Sequence, residues 1–268
     1  MPTLDFTLNS GECGTLFYEH RNPGAEDTLL FLHGLGTTHE SWIHQLDYFQ
    51  QRGFQVLAPD IPGFGASKLT FGHFSINLVT DCIQALLNQH QIKKTIIVGH
   101  SMGGPLTMQC CMANPERFEK AIFSNSFAHI RLTSFSSAFA YIKRFILANL
   151  QDADRQAAFI AHKTFPGDQD QALREMFQQQ IVQTDKTVYK DAVNLLAHID
   201  LRKALHAIQF PCLVLAGLED QTIPPVLQHE LMRYLPNAIE VCVQHGRHGM
   251  IFSQAALINT VIWDFIQQ

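Results

Sequence analysis

Short apolar runs of strand length recur along this chain with helical patterns between them, and that alternation restricts the fold more than any other feature. The runs are Thr28–Leu32, Gln55–Ala58, Lys94–Val98, Lys120–Ser124, Cys212–Ala216 and Ile239–Val243, each bounded by turn-forming residues. They are rich in Val, Ile, Leu and Phe, the pattern of strands covered on both faces. Between them, Asn77–Gln89 and Met102–Met112 repeat their apolar residues at helical spacing. Asn114-Pro115 stops the second, because proline pushes the residue before it out of helical geometry. Strand alternating with helix predicts an α/β fold with a mostly parallel, doubly wound sheet.

From about Phe127 to about His206 the alternation stops and consecutive helices follow, two of them near 169–183 and 186–198. This predicts an inserted, all-helical cap over 127–206, with 1–126 and 207–268 together forming the core domain. Within the insert, Phe135, Phe139, Ile142, Phe145 and Ile146 fall at helical spacing and form one apolar face. Two readings are open for it: packing against the main domain, or lining an apolar substrate pocket.

Composition narrows the partners. Hydrophobic residues make up 46% of the 268 residues and charged ones 16%, enough for a sizeable core and unlike a disordered chain. The formal net charge of −5 carries no block of like charge, which argues against a nucleic acid or an anionic membrane as partner. A small, neutral or apolar molecule is the expected substrate. Met1–Gly14 has no basic run leading into an apolar stretch, and no segment approaches the roughly eighteen apolar residues of a membrane span. The six cysteines form no C-x-x-C pair and sit mostly in apolar segments, so they read as reduced core thiols. A soluble, cytoplasmic protein is the expectation.

The strongest chemical signal is Gly99-His100-Ser101-Met102-Gly103, which follows a strand and opens a helix. A serine on such a turn projects its hydroxyl above the sheet, and the glycines let helix and strand approach without side-chain clash. The N–H of Met102, at the helix N-terminus, is a candidate oxyanion donor. At the end of Leu29–Leu32 stands His33-Gly34-Leu35-Gly36, where the N–H of Leu35 is the candidate second donor. An equally simple reading makes this a plain loop in which His33 bonds only to backbone.

With these stretches, Trp42 and Pro59-Asp60-Ile61-Pro62-Gly63-Phe64-Gly65-Ala66-Ser67, the chain resembles the serine-nucleophile branch of the α/β-hydrolase superfamily that carries a helical cap. That branch includes carboxylesterases, lactonases and carbon–carbon bond hydrolases. The resemblance places the acid three residues after Gly217, at Asp220 and not at the neighbouring Glu219. Some members carry the acid after the strand that follows the nucleophile helix, but Ser124-Asn125-Ser126 offers no carboxylate there. A second reading makes Asp220 a turn or helix cap. The base is expected after the last strand, where His248 matches the family spacing among fourteen histidines and His245 stands three residues earlier as the alternative. Arg247 and Ser253 depart from the usual small and acidic residues of this block.

The resemblance thus implies catalysis by Ser101, Asp220 and His248 with an oxyanion hole at Leu35 and Met102, without cofactor or metal. Hydrolysis of a small, largely apolar carboxylic ester or lactone is the leading expectation. Carbon–carbon bond hydrolysis or thioester hydrolysis on the same triad is the alternative, as is a small-molecule receptor built on this scaffold. Serine in place of aspartate at position 101 argues against the dehalogenase and epoxide hydrolase branches.

Overall fold

The computed structural model describes residues 2–130, 153–165, 167 and 170–268. Nine strands form one sheet. They are β1 (Thr3–Thr7), β2 (Cys13–Arg21), β3 (Thr28–Leu32), β4 (Gln55–Pro59), β5 (Lys68–Phe71), β6 (Thr95–His100), β7 (Phe118–Ser124), β8 (Cys212–Gly217) and β9 (Ala238–Val243). The helices in chain order are α1 (Ile43–Gln50), α2 (Ile76–Gln89), α3 (Gly103–Ala113), α4 (Ala153–Thr164), α5 (Gln171–Gln183), α6 (Lys186–His198), α7 (Pro225–His229), α8 (Met250–Ser253) and α9 (Ala255–Ile266). The sheet runs β1-β2-β4-β3-β6-β7-β8-β9, with β5 on the side of β2. β1, β4 and β5 pair antiparallel with β2, and every pairing from β4 to β9 is parallel.

Burial explains which strands the apolar pattern revealed. β3, β4, β6 and β8 are buried along their whole length, as strands flanked by helices on both faces must be. The apolar pattern does not reveal β1, β2 and β5, whose residues are largely half-buried or exposed. The same pattern predicts β9 to be covered on both faces. As the edge strand it leaves Ile239 and Cys242 exposed and buries only Val243.

Among the helices of the core, α1 packs with α9 and α2 with α3. Ser75 caps α2 by accepting the Leu78 N–H at 3.1 Å. The buried stripe of α2, Leu78, Val79, Cys82, Ile83, Leu86 and Leu87, follows helical periodicity. α3 is buried nearly all round and lies tight on the sheet. A Cβ on Gly103 would stand 2.1 Å from the Leu32 carbonyl, and one on Gly99 would stand 2.3 Å from the Gly103 carbonyl.

Between β7 and β8 the described chain holds α4, α5 and α6 and no strand. The apolar face expected at Phe135–Ile146 lies outside the described residues. α5 and α6 rest on loops at the C-terminal ends of the strands. Val188 covers Gly63, Ile181 and Tyr189 cover Gly36, and the Asp185 N–H donates to the Gly63 carbonyl at 3.3 Å. Gln180 Nε2 donates to Glu40 Oε2 at 2.7 Å.

Candidate active site

Parallel strands in register bring their C-terminal ends to one edge. Leu32 pairs with Gly99, His100 with Ser124, and Gly217 with Val243, so the loops after β3, β6, β7, β8 and β9 converge there. The strand order reverses between β3 and β6, the position where open α/β sheets form a ligand crevice. Ser101 follows β6 with φ at 53°, in the left-handed region, and starts the sharp turn into α3. Its N–H donates to the Ser124 carbonyl at 3.0 Å, and its carbonyl accepts Ser126 Oγ at 3.1 Å.

The hydroxyl of Ser101 lies 3.0 Å from His248 Nε2, and His248 Nδ1 lies 2.8 Å from Asp220 Oδ2. The three side chains come from the loops after β6, β8 and β9. Asp220 is buried, and burial alone would raise its pKa. The charge of His248 and its hydrogen bond, with the Ile223 and Thr222 N–H groups, outweigh that and hold the carboxyl below its ordinary value. Those two amides donate to Oδ1 at 2.9 and 2.7 Å, so the carboxylate also makes the turn contacts of the second reading. One oxygen organises the loop while the other faces the imidazole.

Glu219 and His245, the rejected neighbours, form a pair of their own. His245 Nδ1 lies 2.6 Å from Glu219 Oε1 with its side chain 72% exposed, whereas that of His248 is 9% exposed. Arg247, unusual at its position, reaches the same Glu219 at 3.4 Å. The structure therefore brings His248, and not His245, to Ser101.

Among the described residues no acceptor takes the backbone N–H of Leu35 or of Met102, and Leu35 lines the same cavity as Ser101. His33 does bond to backbone: the Ile61 N–H donates to its Nε2 at 2.9 Å. The proton is thereby placed on Nδ1, 2.8 Å from the Gly34 carbonyl. Thr37 Oγ1 also donates to that carbonyl, at 3.0 Å, so the loop bearing Leu35 is pinned from two sides. Asp60 locks the adjoining loop, accepting the His39 N–H at 2.7 Å and the Ala66 N–H at 2.8 Å.

Sequence reasoning missed three side chains here. Asn125 donates to Asp220 Oδ2 at 2.9 Å, and Gln228 accepts the Gly217 N–H at 3.1 Å and donates to the Ile223 carbonyl at 2.7 Å. His100 is buried with its ring centroid 4.9 Å from that of His248. Burial, followed by the charge of His248, presses the His100 pKa down to about 3, so it stands as a neutral wall. A side-chain amide carries no motif of its own, which is why the Asn125 and Gln228 contacts were invisible, and His100, though inside the serine motif, meets His248 only in the folded sheet edge.

The cavity beside Ser101 encloses about 690 Å3, part of it open to solvent. Phe127, Phe165, Phe177, Ile223 and Phe252 supply much of its wall, drawn from both the sheet loops and the helices between β7 and β8. Of the candidate metal ligands among the described residues, His229, Glu240 and Cys242 come together at edge strand β9. None of the three lines this cavity. No helix among the described residues is long and apolar enough to cross a membrane.

Comparison with known proteins agrees with this architecture. The family model described as alpha/beta hydrolase fold matches residues 27–255. An AB hydrolase superfamily protein of Bacillus subtilis is 26% identical over 96% of this chain and 97% of its own. A 3-oxoadipate enol-lactonase of Acinetobacter baylyi is 32% identical over 82% of either chain. Among solved structures, the enol-lactonase of Burkholderia xenovorans superposes with a TM-score of 0.87 at 22% identity, covering 99% of this chain and 100% of that one. An esterase of Exiguobacterium antarcticum gives 0.88 at 15% identity, covering 98% and 99%. With the fold, the strand-end crevice and a family model spanning most of its length in agreement, this chain belongs to the α/β hydrolase fold family.

Proposed function

We infer that the protein is a serine hydrolase that cleaves a small, largely apolar carboxylic ester or lactone through an acyl-enzyme. The observation that carries this is the run of contacts from Ser101 Oγ through His248 to Asp220, at 3.0 and 2.8 Å, on the wall of a mainly apolar cavity. His248 takes the proton of Ser101 as the hydroxyl attacks the carbonyl carbon, and the carbonyl oxygen becomes an oxyanion held by the N–H groups of Leu35 and Met102. The imidazolium then protonates the leaving alcohol, leaving an acyl-serine. Water, deprotonated by His248, attacks that ester, and the serine leaves with the proton returned to it. Asp220 keeps the Nδ1 tautomer and stabilises the imidazolium. The enol-lactonase relative at 32% identity supports the ester or lactone class.

In the same reading, residues 127–206 are a helical cap on a core of 1–126 and 207–268. Helices α4–α6 and the antiparallel bridge between His129 and Asp200, close to the two ends of that segment, support the division.

A fluorophosphonate probe should label Ser101, as mass spectrometry of the digest would read. Ser101→Ala should lower p-nitrophenyl ester turnover by at least about a thousandfold with the fold retained. Turnover surviving in Ser101→Ala would remove the mechanism.

A further inference from the structure

Asn125 follows β7 directly, with its backbone in the left-handed region at φ 47°, and it is completely buried. Its Nδ2 donates at 2.9 Å to Asp220 Oδ2, the same oxygen that faces His248 Nδ1 at 2.8 Å. The same amide nitrogen reaches the carbonyl of Arg247, the residue before His248, at 3.4 Å. Its Oδ1 accepts Ser124 Oγ at 3.2 Å, which fixes the amide so that the nitrogen points at the carboxylate. The chain carrying the acid is shaped around it: a Cβ on Gly217 would lie 2.7 Å from Asn125 Nδ2.

We propose that Asn125 is a positioning residue for the acid–base pair, holding Asp220 in the orientation that serves His248 and tying the acid loop to the base loop. The inference rests on the triad reading given above. Asp220 Oδ1 is engaged by the Thr222 and Ile223 amides, which leaves Oδ2 for the imidazole and two side-chain amides, that of Asn125 at 2.9 Å and, more distantly, that of Gln228 at 3.4 Å. A donor to a buried carboxylate is charge-assisted and directional, so it resists rotation of the group away from Nδ1. Losing it leaves the ionised oxygen with a weaker set of partners and loosens the tautomer and the tilt of the imidazole. An amide suits the place and a second carboxylate does not, because two like charges at hydrogen-bond distance cannot both stay ionised cheaply.

The test compares Asn125→Gly and Asn125→Asp with the wild type by the second-order rate of fluorophosphonate labelling at Ser101 between pH 5 and 9, with thermal unfolding alongside. Glycine accepts the left-handed backbone and removes the whole buried side chain, amide included, so the thermal unfolding measured alongside reads the packing lost with it. Aspartate keeps the size and the backbone preference and exchanges a donor for an acceptor. Asn125→Gly should label roughly ten- to a hundredfold more slowly in its folded form. Asn125→Asp should be slow at high pH and recover relative to wild type as the pH falls, because a proton shared by the two carboxylates restores a donor to Oδ2. A space-filling role would lower the unfolding temperature and leave that ratio independent of pH. Wild-type rates and profiles in both variants, or slowing that only follows the loss of folded protein, would overturn the proposal while leaving the triad standing. Absence of labelling in the wild type would bring down the triad reading and this inference with it. If Asn125→Gly does not fold, the pH dependence of Asn125→Asp decides alone.

Discussion

At the scale of single residues, two buried imidazoles tie the architecture of the site to pH. The Ile61 N–H occupies Nε2 of His33, so a second proton there would cost that bond and place a charge in the interior. Burial accordingly lowers the His33 pKa from 6.5 to about 4 and that of His100 from 6.5 to about 3. In the unfolded chain both take up a proton near the ordinary histidine value, about 6.5. The stability their neutral forms contribute is therefore complete above that pH and is lost progressively as the pH falls toward the folded values. For His33 the full loss is on the order of 3 kcal/mol. The carboxylates behave differently, since Asp60 and Asp220 are held below 3.8 and give up their contribution only at lower pH. Urea unfolding midpoints should decline steadily from pH 7 to pH 4.5. A flat profile across that window would mean that the two imidazoles are not held neutral by burial.

At the scale of elements, α6 shows how local chemistry seats a helix over the site. Asp185 Oδ1 accepts the Thr187 N–H at 2.8 Å and the Val188 N–H at 3.0 Å, while the backbone N–H of Asp185 donates to the Gly63 carbonyl. One residue caps the helix and anchors it to the loop after β4. Asp185→Ala should cost about 1 kcal/mol, roughly 2–4 °C in Tm. It should also raise KM more than it lowers kcat, because Tyr189 of the same helix lines the cavity while none of the three proposed triad side chains comes from α6. An unchanged Tm together with an unchanged KM would show that the cap does not hold the helix. The same scale decides what the sequence made legible. α6 is readable at its bounds and α2 within a residue, because each buries one stripe, and β3 is readable because it is apolar from Leu29 to Leu32 and buried throughout. β2 was not readable, since nine residues that alternate neither cleanly nor apolarly carry no periodic signal, and its antiparallel partners hold it in place. Ser101 was legible from its own turn, a local feature of strand, glycine and helix. Asp220 and His248 were legible only through family spacing, since nothing local separates them from Glu219 and His245. Burial separates them, and burial is a property of the assembled sheet edge. Asn125 meets Asp220 across 95 residues of sequence, a contact that exists only once β7 and β8 are paired.

At the scale of the whole molecule, the cavity is built from segments far apart in the chain, and Phe165 joins them. It follows α4 and is 2% exposed. Its ring meets Phe177 of α5 edge-on at 5.6 Å and Phe252 of α8 at 5.9 Å. It also packs against Gly249, where a Cβ would lie 2.4 Å from the ring, so it touches the residue after His248. The ring therefore presses the helices between β7 and β8 onto the loop carrying the proposed base while forming part of the cavity wall. Truncation to alanine removes both contributions. The packing loss should be about 3 kcal/mol, at the low end for a buried phenylalanine because one face borders an open cavity. The space released adjoins the cavity, so longer acyl chains should gain against short ones. In Phe165→Ala, the ratio of kcat/KM for a p-nitrophenyl octanoate to that for the acetate should rise by about tenfold, the scale of one or two methylene groups newly accommodated in an apolar pocket. Phe165→Leu should fall between that variant and wild type in both stability and ratio. If stability falls in this order while the chain-length ratio stays fixed, Phe165 acts in packing alone and the acyl chain lies elsewhere in the cavity.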